Sequence, residues 1–333
     1  MIDWPPEERR CPVLIYERPG GDCVMPSLND EIEPMRETDI IERFANPLYQ
    51  VMNDFYERDV VHRAIRPNNL YYTEANGGKL MLGECVSSPP AMAQPFVYET
   101  IESCMCDPAG RGLGASADDL YALGVTLLAI LTGRSPCRAM SDDEILDAKL
   151  AMGSYGALTQ DMRISLTMME PLRGLLSDDA ELRWTVEEFG LWANGRSGSP
   201  IQQSMSARAA RSFTFMEKEH YTCRELAHSL ARNWDQSIGI IRDGSIDIWL
   251  RRALGDDIKV SAANVAKSIV GEADNDDNLI GRYCIALDPL APIRYRNFRA
   301  TVEGMPNVLA LYGEKSDARE DFSRLIQHGL IEF

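Results

Sequence analysis

The stretch "SADDLYALGVTLLAILTG", residues 116–133, constrains the fold most strongly. Apolar residues occupy nearly all its faces and it ends at Gly133, so it reads as a helix buried on all sides. Such a helix needs a shell of other elements, and a chain of 333 residues can supply one. Its longest apolar run, Leu120 to Leu131, is well short of the roughly 20 residues of a membrane span.

The shell is visible on both sides. "ETDIIERFANPLYQVMNDFYERDVV" places Ile40, Ile41, Phe44, Leu48, Val51, Met52 and Phe55 at helical spacing; Asn46-Pro47 either breaks it into two helices or marks a new start. "SDDEILDAKLAMG" opens with Ser141 as an N-cap and Glu144 three residues on, a capping box. "RISLTMMEPLRGLL" and "TVEEFGLWANG" are further helices. Strands are expected at 12–16, before a Pro-Gly-Gly turn, and in "NLYY" and "KLMLG" flanking the turn "TEANGG". Residues 194–212 are rich in Gly and Ser and read as a linker. The expected fold class is mainly α: a unit over 1–197, a linker over 198–212, and an all-helical accessory domain over 213–333. The accessory domain carries Trp234 and Trp249, which are large for so short a helical unit and predict docking of an apolar face on the first unit. "LDPLAPIRYR" predicts a rigid turn exposing Arg294 and Tyr295.

Net charge is −17 with no block of Lys or Arg, which argues against nucleic acid and against anionic membranes as partners. The N-terminus has no secretory pattern. The eight cysteines have no framework spacing and the four histidines are scattered, so no metal or cofactor is expected and the thiols read as reduced, in a cytoplasmic protein.

"VVHRAIRPNNLYY" resembles the catalytic loop of a protein kinase, His-Arg-Asp-x-Lys-Pro-x-x-Asn. "YETIE" (98–102) has the spacing of the Tyr-x-Ala-Pro-Glu that closes a kinase activation segment. "DDLYALGVTLLAILTGRSP" is similar to the buried central helix of the large lobe, and "LLSDDAELRW" to the segment that carries a pairing Arg. The four occur in kinase order across residues 11–195. The resemblance implies that Asp119 accepts hydrogen bonds from the loop backbone, and that Glu102 and Arg183 form a buried ion pair. It implies packing in the loop core for His62, and for Arg63 contact with a phosphorylated residue of the activation segment, for which Ser87 and Ser88 are the hydroxyls before Tyr98.

The same loop departs from the family where the chemistry lies. Ala64 stands in the place of the base, Arg66 replaces Lys, and Asn69 is retained. Leu82-Gly83-Glu84 falls on the metal-binding Asp-Phe-Gly. "VLIYE" resembles the last small-lobe strand, with about ten residues before it, so the phosphate loop and strand Lys are absent from this sequence. The resulting expectation is a pseudokinase that binds a protein partner as scaffold or regulator in signalling. One alternative is an ATP-dependent phosphotransferase using a displaced carboxylate, Glu84 or, less well, Asp107 or Asp118. Another is a structural domain of a larger assembly.

Overall fold

The computed structural model describes residues 15–75, 77–85, 87, 89–196, 207–269, 275–312 and 316–333. The fold is mainly α, with three two-stranded antiparallel sheets among the described residues. Its buried apolar residues gather into two large clusters, one within residues 24–193 and one mostly within 209–330.

The first helix pair is one rod. α1 (Glu37–Ile40) passes through a wider π-type turn, Ile41–Ala45, into α2 (Asn46–Glu57) with no residue leaving right-handed helical geometry. Pro47 lacks an N–H and its ring crowds the carbonyl one turn back; the widened turn ahead of it relieves both. β1 (Leu70–Glu74) and β2 (Gly77–Leu82) form the expected hairpin, with Leu70 opposite Leu82. Residues 12–14 of the expected first strand lie outside the described residues, and Ile15 and Tyr16 are in no strand. Pairing starts later: Gly21 donates to the Tyr72 carbonyl at 2.9 Å and Val24 to that of Leu70 at 2.8 Å.

After the short α3 (Ile101–Cys104), α4 (Ser116–Thr132) is buried without interruption from Asp119 to Ile130 and closes on Gly133 in the left-handed region. α5 (Asp142–Thr159) starts at the expected capping box, where the Ser141 N–H donates to Glu144 Oε2 at 2.7 Å. It does not stop at Gly153. The chain kinks there at φ +74°, a conformation that glycine adopts without strain, and resumes as helix to Thr159. α6 (Leu166–Leu175) and α7 (Val186–Ala193) complete the shell around α4.

The C-terminal part differs from its all-helical expectation. The hairpin β3 (Phe213–Phe215)–β4 (Lys218–His220) precedes α8 (Cys223–Arg232), α9 (Trp234–Arg242), α10 (Ser245–Trp249), α11 (Asp257–Ser268) and α12 (Asp276–Leu287). A second hairpin, β5 (Ile293–Tyr295)–β6 (Phe298–Ala300), leads to α13 (Met305–Tyr312) and α14 (Ser316–Gln327). Three-residue strands carry too little alternation to register as strands in a sequence. Arg294 and Tyr295, expected on an exposed turn, are buried in β5, which packs against α12 and α14. Of the expected linker, residues 198–206 lie outside the described residues; within its remainder Ala209 is buried and its N–H donates to the Tyr221 carbonyl at 2.7 Å.

The two parts meet, but not through the tryptophans. Trp234 and Trp249 belong to the C-terminal core, their indole N–H groups donating to Asp277 and to the Arg211 carbonyl. The seam is polar. Arg224 binds Glu102 at 2.8 Å and Asp288 at 3.1 Å, and Arg299 binds Asp107 at 2.9 Å. Backbone joins backbone as well: Asp107 N–H to the Arg299 carbonyl at 3.1 Å and Thr301 N–H to that of Gly110 at 2.9 Å. Direct backbone pairing fixes the two parts in register. Cleavage after Arg196 is therefore expected to leave both fragments in one gel-filtration peak at physiological salt; two folded fragments eluting separately would contradict the seam.

Candidate functional site

The loop between α2 and β1 is held from below by Asp119. Its carboxylate accepts from the backbone N–H of His62 at 2.6 Å and of Arg63 at 2.7 Å. Sequence explains the position: Asp119 opens the buried stretch of α4, where a carboxylate survives only if its oxygens are filled. Burial pushes its pKa up to about 6, against the pull of those two N–H groups. Arg63 sits in the left-handed region at φ +58°, which costs a non-glycine residue on the order of 1 kcal/mol. The turn aims its guanidinium inward. There it meets Glu99 at 3.2 Å and Asp118 at 3.1 Å, and Arg111 approaches the other Glu99 oxygen at 3.7 Å. Burial works against the Arg63 charge, but Glu99, Asp118 and Asp119 outweigh it and raise its pKa. Burial raises the Glu99 carboxyl, and the two guanidiniums oppose that.

Ala64 follows, nearly buried, its N–H donating to His62 Nδ1 at 3.2 Å. Asn69 spans the loop: its Nδ2 donates to the Ala64 carbonyl at 2.9 Å and the Glu84 carbonyl at 2.8 Å. Gly83 lies beside it, so close that a Cβ there would run into Asn69 Oδ1. Arg66 reaches Gln94 at 3.0 Å and Glu84 at 3.6 Å, and Gln94 donates back to the Ile65 carbonyl at 3.2 Å. His62 stacks on Phe55 and lies 3.4 Å from the Gly83 carbonyl; burial lowers its pKa to about 4.

Glu102 and Arg183 do not form the expected ion pair, although the Arg183 charge still opposes the rise that burial gives the Glu102 carboxyl. Glu102 turns toward Arg224, while Arg183 donates to the carbonyls of Ser177 at 2.9 Å and Ala117 at 3.0 Å and lies over the Tyr121 ring. Arg183 caps backbone that would otherwise be orphaned, and a cation from the C-terminal part takes its expected partner. Arg63, expected to meet a phosphorylated residue, is occupied by Glu99 and Asp118; of the two candidate hydroxyls, Ser88 lies outside the described residues. Two residues carry the site without having stood out in the sequence. Lys149 is fully buried and donates to the carbonyls of Phe96 at 2.8 Å and Glu99 at 2.7 Å, pinning the segment that presents Glu99. Its signal was a lone Lys on the apolar side of α5. Arg224 sits in the first turn of α8, where the helix dipole disfavours a cation, and the two carboxylates it binds offset that. Among the described residues, no group of three or more His, Cys, Asp or Glu could hold a metal.

No family model matches the chain. It is 26% identical over 111 residues to serine/threonine-protein kinase C of Synechocystis, covering 31% of this chain and 21% of that protein. It is 25% identical over 111 residues to PrkC of Bacillus subtilis, covering 32% and 16%. It is 26% identical over 221 residues to mouse serine/threonine-protein kinase SBK1, covering 62% and 51%. The similarity supports a protein kinase-like superfamily. The chain spans about half, or less, of the length of these relatives.

In this kinase-like loop, His62 supplies a pH dependence whose sign is fixed. Its folded pKa, about 4, lies below the ordinary value of 6.5, so the unfolded chain binds the extra proton between the two. Stability contributed by neutral His62 is complete above pH 6.5 and lost as pH falls toward 4. The stability of the native protein minus that of His62→Phe should therefore rise by up to about 1.4 kcal/mol per pH unit across that window and be flat above it. Denaturant titrations of both proteins at several pH values test this; a flat difference would mean His62 is not buried neutral. Asp119→Ala leaves two buried N–H groups unpaired and should cost about 3–5 kcal/mol. Asn69→Ala frees two carbonyls and should cost less, about 1–3 kcal/mol, in the same titrations.

Proposed function

We propose that the protein is a catalytically inactive kinase-like protein that acts by binding another protein, as scaffold or regulator. The observation that carries this reading is Ala64. It occupies the position where the kinase resemblance requires a base, on a loop whose backbone is held by Asp119 and Asn69. A methyl group can neither accept a proton nor orient a hydroxyl. The second support is Leu82, which stands where the resemblance requires a metal-binding Asp and offers no carboxylate; at the next residue, Gly83, a side chain would run into Asn69. The third is Glu99, whose carboxyl faces Arg63 at 3.2 Å, in the place that a phosphorylated residue takes in the family. It favours a segment ordered without modification.

The displaced carboxylates are otherwise engaged. Glu84 faces Arg66, Asp107 binds Arg299, and Asp118 binds Arg63 and caps the Ala115 N–H. Recruiting any of them breaks a pair that already exists.

The purified chain should transfer no labelled phosphate from Mg-ATP to itself or to generic substrates, and Ala64→Asp should not restore transfer. Labelled product from either protein would sink the proposal. Mg-ATP at millimolar concentration should leave the melting temperature unchanged, whereas a ligand at a hundred times its Kd would add about 2.7 kcal/mol.

A further inference from the structure

The β5–β6 hairpin carries two arginines in opposition. Arg294 and Arg299 are directly paired in its register, so both project from the same face. Like charges placed opposite one another destabilise a hairpin unless something stands between them. Arg299 is answered by Asp107. Arg294 is not. It is 6% exposed, its Nη1 lies 3.1 Å from the neutral ring of His228, and its Nε and Nη2 have no hydrogen-bond partner. His228 Nε2 has none either. Burial lowers the pKa of Arg294 and takes that of His228 well below its ordinary value, so the histidine brings no second charge of its own.

Arg294 borders a cleft of about 500 Å³ between α5, α8 and the hairpin, where the two parts of the chain meet. Arg232, Arg296 and Arg299 line it too, with Asp107, Asp142 and Asp143. The acids do not neutralise Arg294: Asp143 is bound to Arg232 at 2.8 Å, Asp107 to Arg299, and Asp142 lies on the exposed rim at the start of α5. On its other side, a cavity of about 10 Å³ has room for about one water. A water satisfies an N–H but leaves the charge. Arg296 is bound to Asp277 at 2.8 Å, so of the four arginines that line the cleft Arg294 alone has no carboxylate partner among the described residues.

We propose that this cleft is an oxyanion site for a small ligand bearing a phosphate-type group, with Arg294 as the buried anchor and Arg299 and Arg232 as its rim. The two unpartnered donors of Arg294 are closed to solvent in the free chain, so binding requires the guanidinium to turn toward the cleft, where its planar fork matches such an oxyanion; the volume is of the size that small-molecule sites have. The site lies away from the kinase-like loop and does not depend on whether that loop is active. A ligand there touches both parts of the chain and would tighten their seam.

The test is a titration of the full chain with inorganic phosphate against chloride at constant ionic strength, read by calorimetry and melting temperature. The expected result is saturable, phosphate-dependent stabilisation. Arg294→Met should abolish it while remaining at least as stable as the native protein in phosphate-free buffer, because an unpaired buried charge has been removed. Arg299→Gln, at the half-exposed rim, should keep the fold and weaken phosphate by about tenfold or more. Arg242→Gln, on the distant face of α9, should change nothing. A native protein that ignores phosphate, or an Arg299→Gln protein with unaltered affinity, overturns the proposal. A parallel titration with glycerol phosphate separates the sources: tighter binding of the ester assigns the remaining volume to an organic moiety, equal binding assigns the site to the free anion, and both support an oxyanion site.

Discussion

One carboxylate with both oxygens filled underlies the arrangement. Asp119 accepts the N–H groups of two consecutive residues, His62 and Arg63, at the point where the loop turns through the left-handed region. That contact sets the direction of the Arg63 side chain, and the direction of Arg63 decides where Glu99 and Asp118 find their cation. Glu99 in turn lies on the segment that Lys149 grips by its carbonyls. A chain of buried charges runs from α4 through the loop to Glu99, where Arg63 and Arg111 face the carboxylate, and Lys149 of α5 is held beside it by backbone carbonyls. Removing one leaves an orphan in a low-dielectric interior, which is why such clusters are rigid even when their net contribution to stability is modest.

The second constraint is the seam. Surface ion pairs such as Lys218 with Asp147 contribute little on their own. Arg224 differs, being largely buried and shared between Glu102 and Asp288. With the backbone pairing of residues 107–110 to 299–301, it makes the C-terminal part an extension of the segment that closes the kinase-like loop. A partner bound to the C-terminal helices would have a short mechanical route to Glu102 and the neighbouring Glu99.

Much of this was legible in the sequence, for identifiable reasons. The buried helix declared itself because residues 120–131 leave no polar face, and the capping box at Ser141 is a local signal that tertiary packing had no cause to override. The loop was legible because several motifs occurred in order. What failed was long-range partner choice. Glu102 and Arg183 have the right spacing for a pair, but spacing does not reveal that Arg224, 122 residues away from Glu102, competes for the carboxylate. The three-residue strands were invisible because two periods of alternation cannot be told from coil. Arg294 was misplaced for a related reason: Arg, Tyr and Pro in a short stretch look like a surface turn, and only the covering α8 and α12 bury them. Gly83 is a clearer lesson. As a sequence it is a missing motif; in three dimensions it is the space that Asn69 requires.

The central claim is that the loop is a locked structural element, its backbone held by Asp119. Native-state hydrogen exchange at the amides of His62 and Arg63 measures this directly. The account predicts that both exchange only through global unfolding, with protection equal to that of the core amides of α4. It also predicts that Asp119→Asn lowers protection at these two amides well below that of the core of the same variant. Rapid exchange of either amide in the native protein, with α4 fully protected, would show a loop free to move and would contradict it.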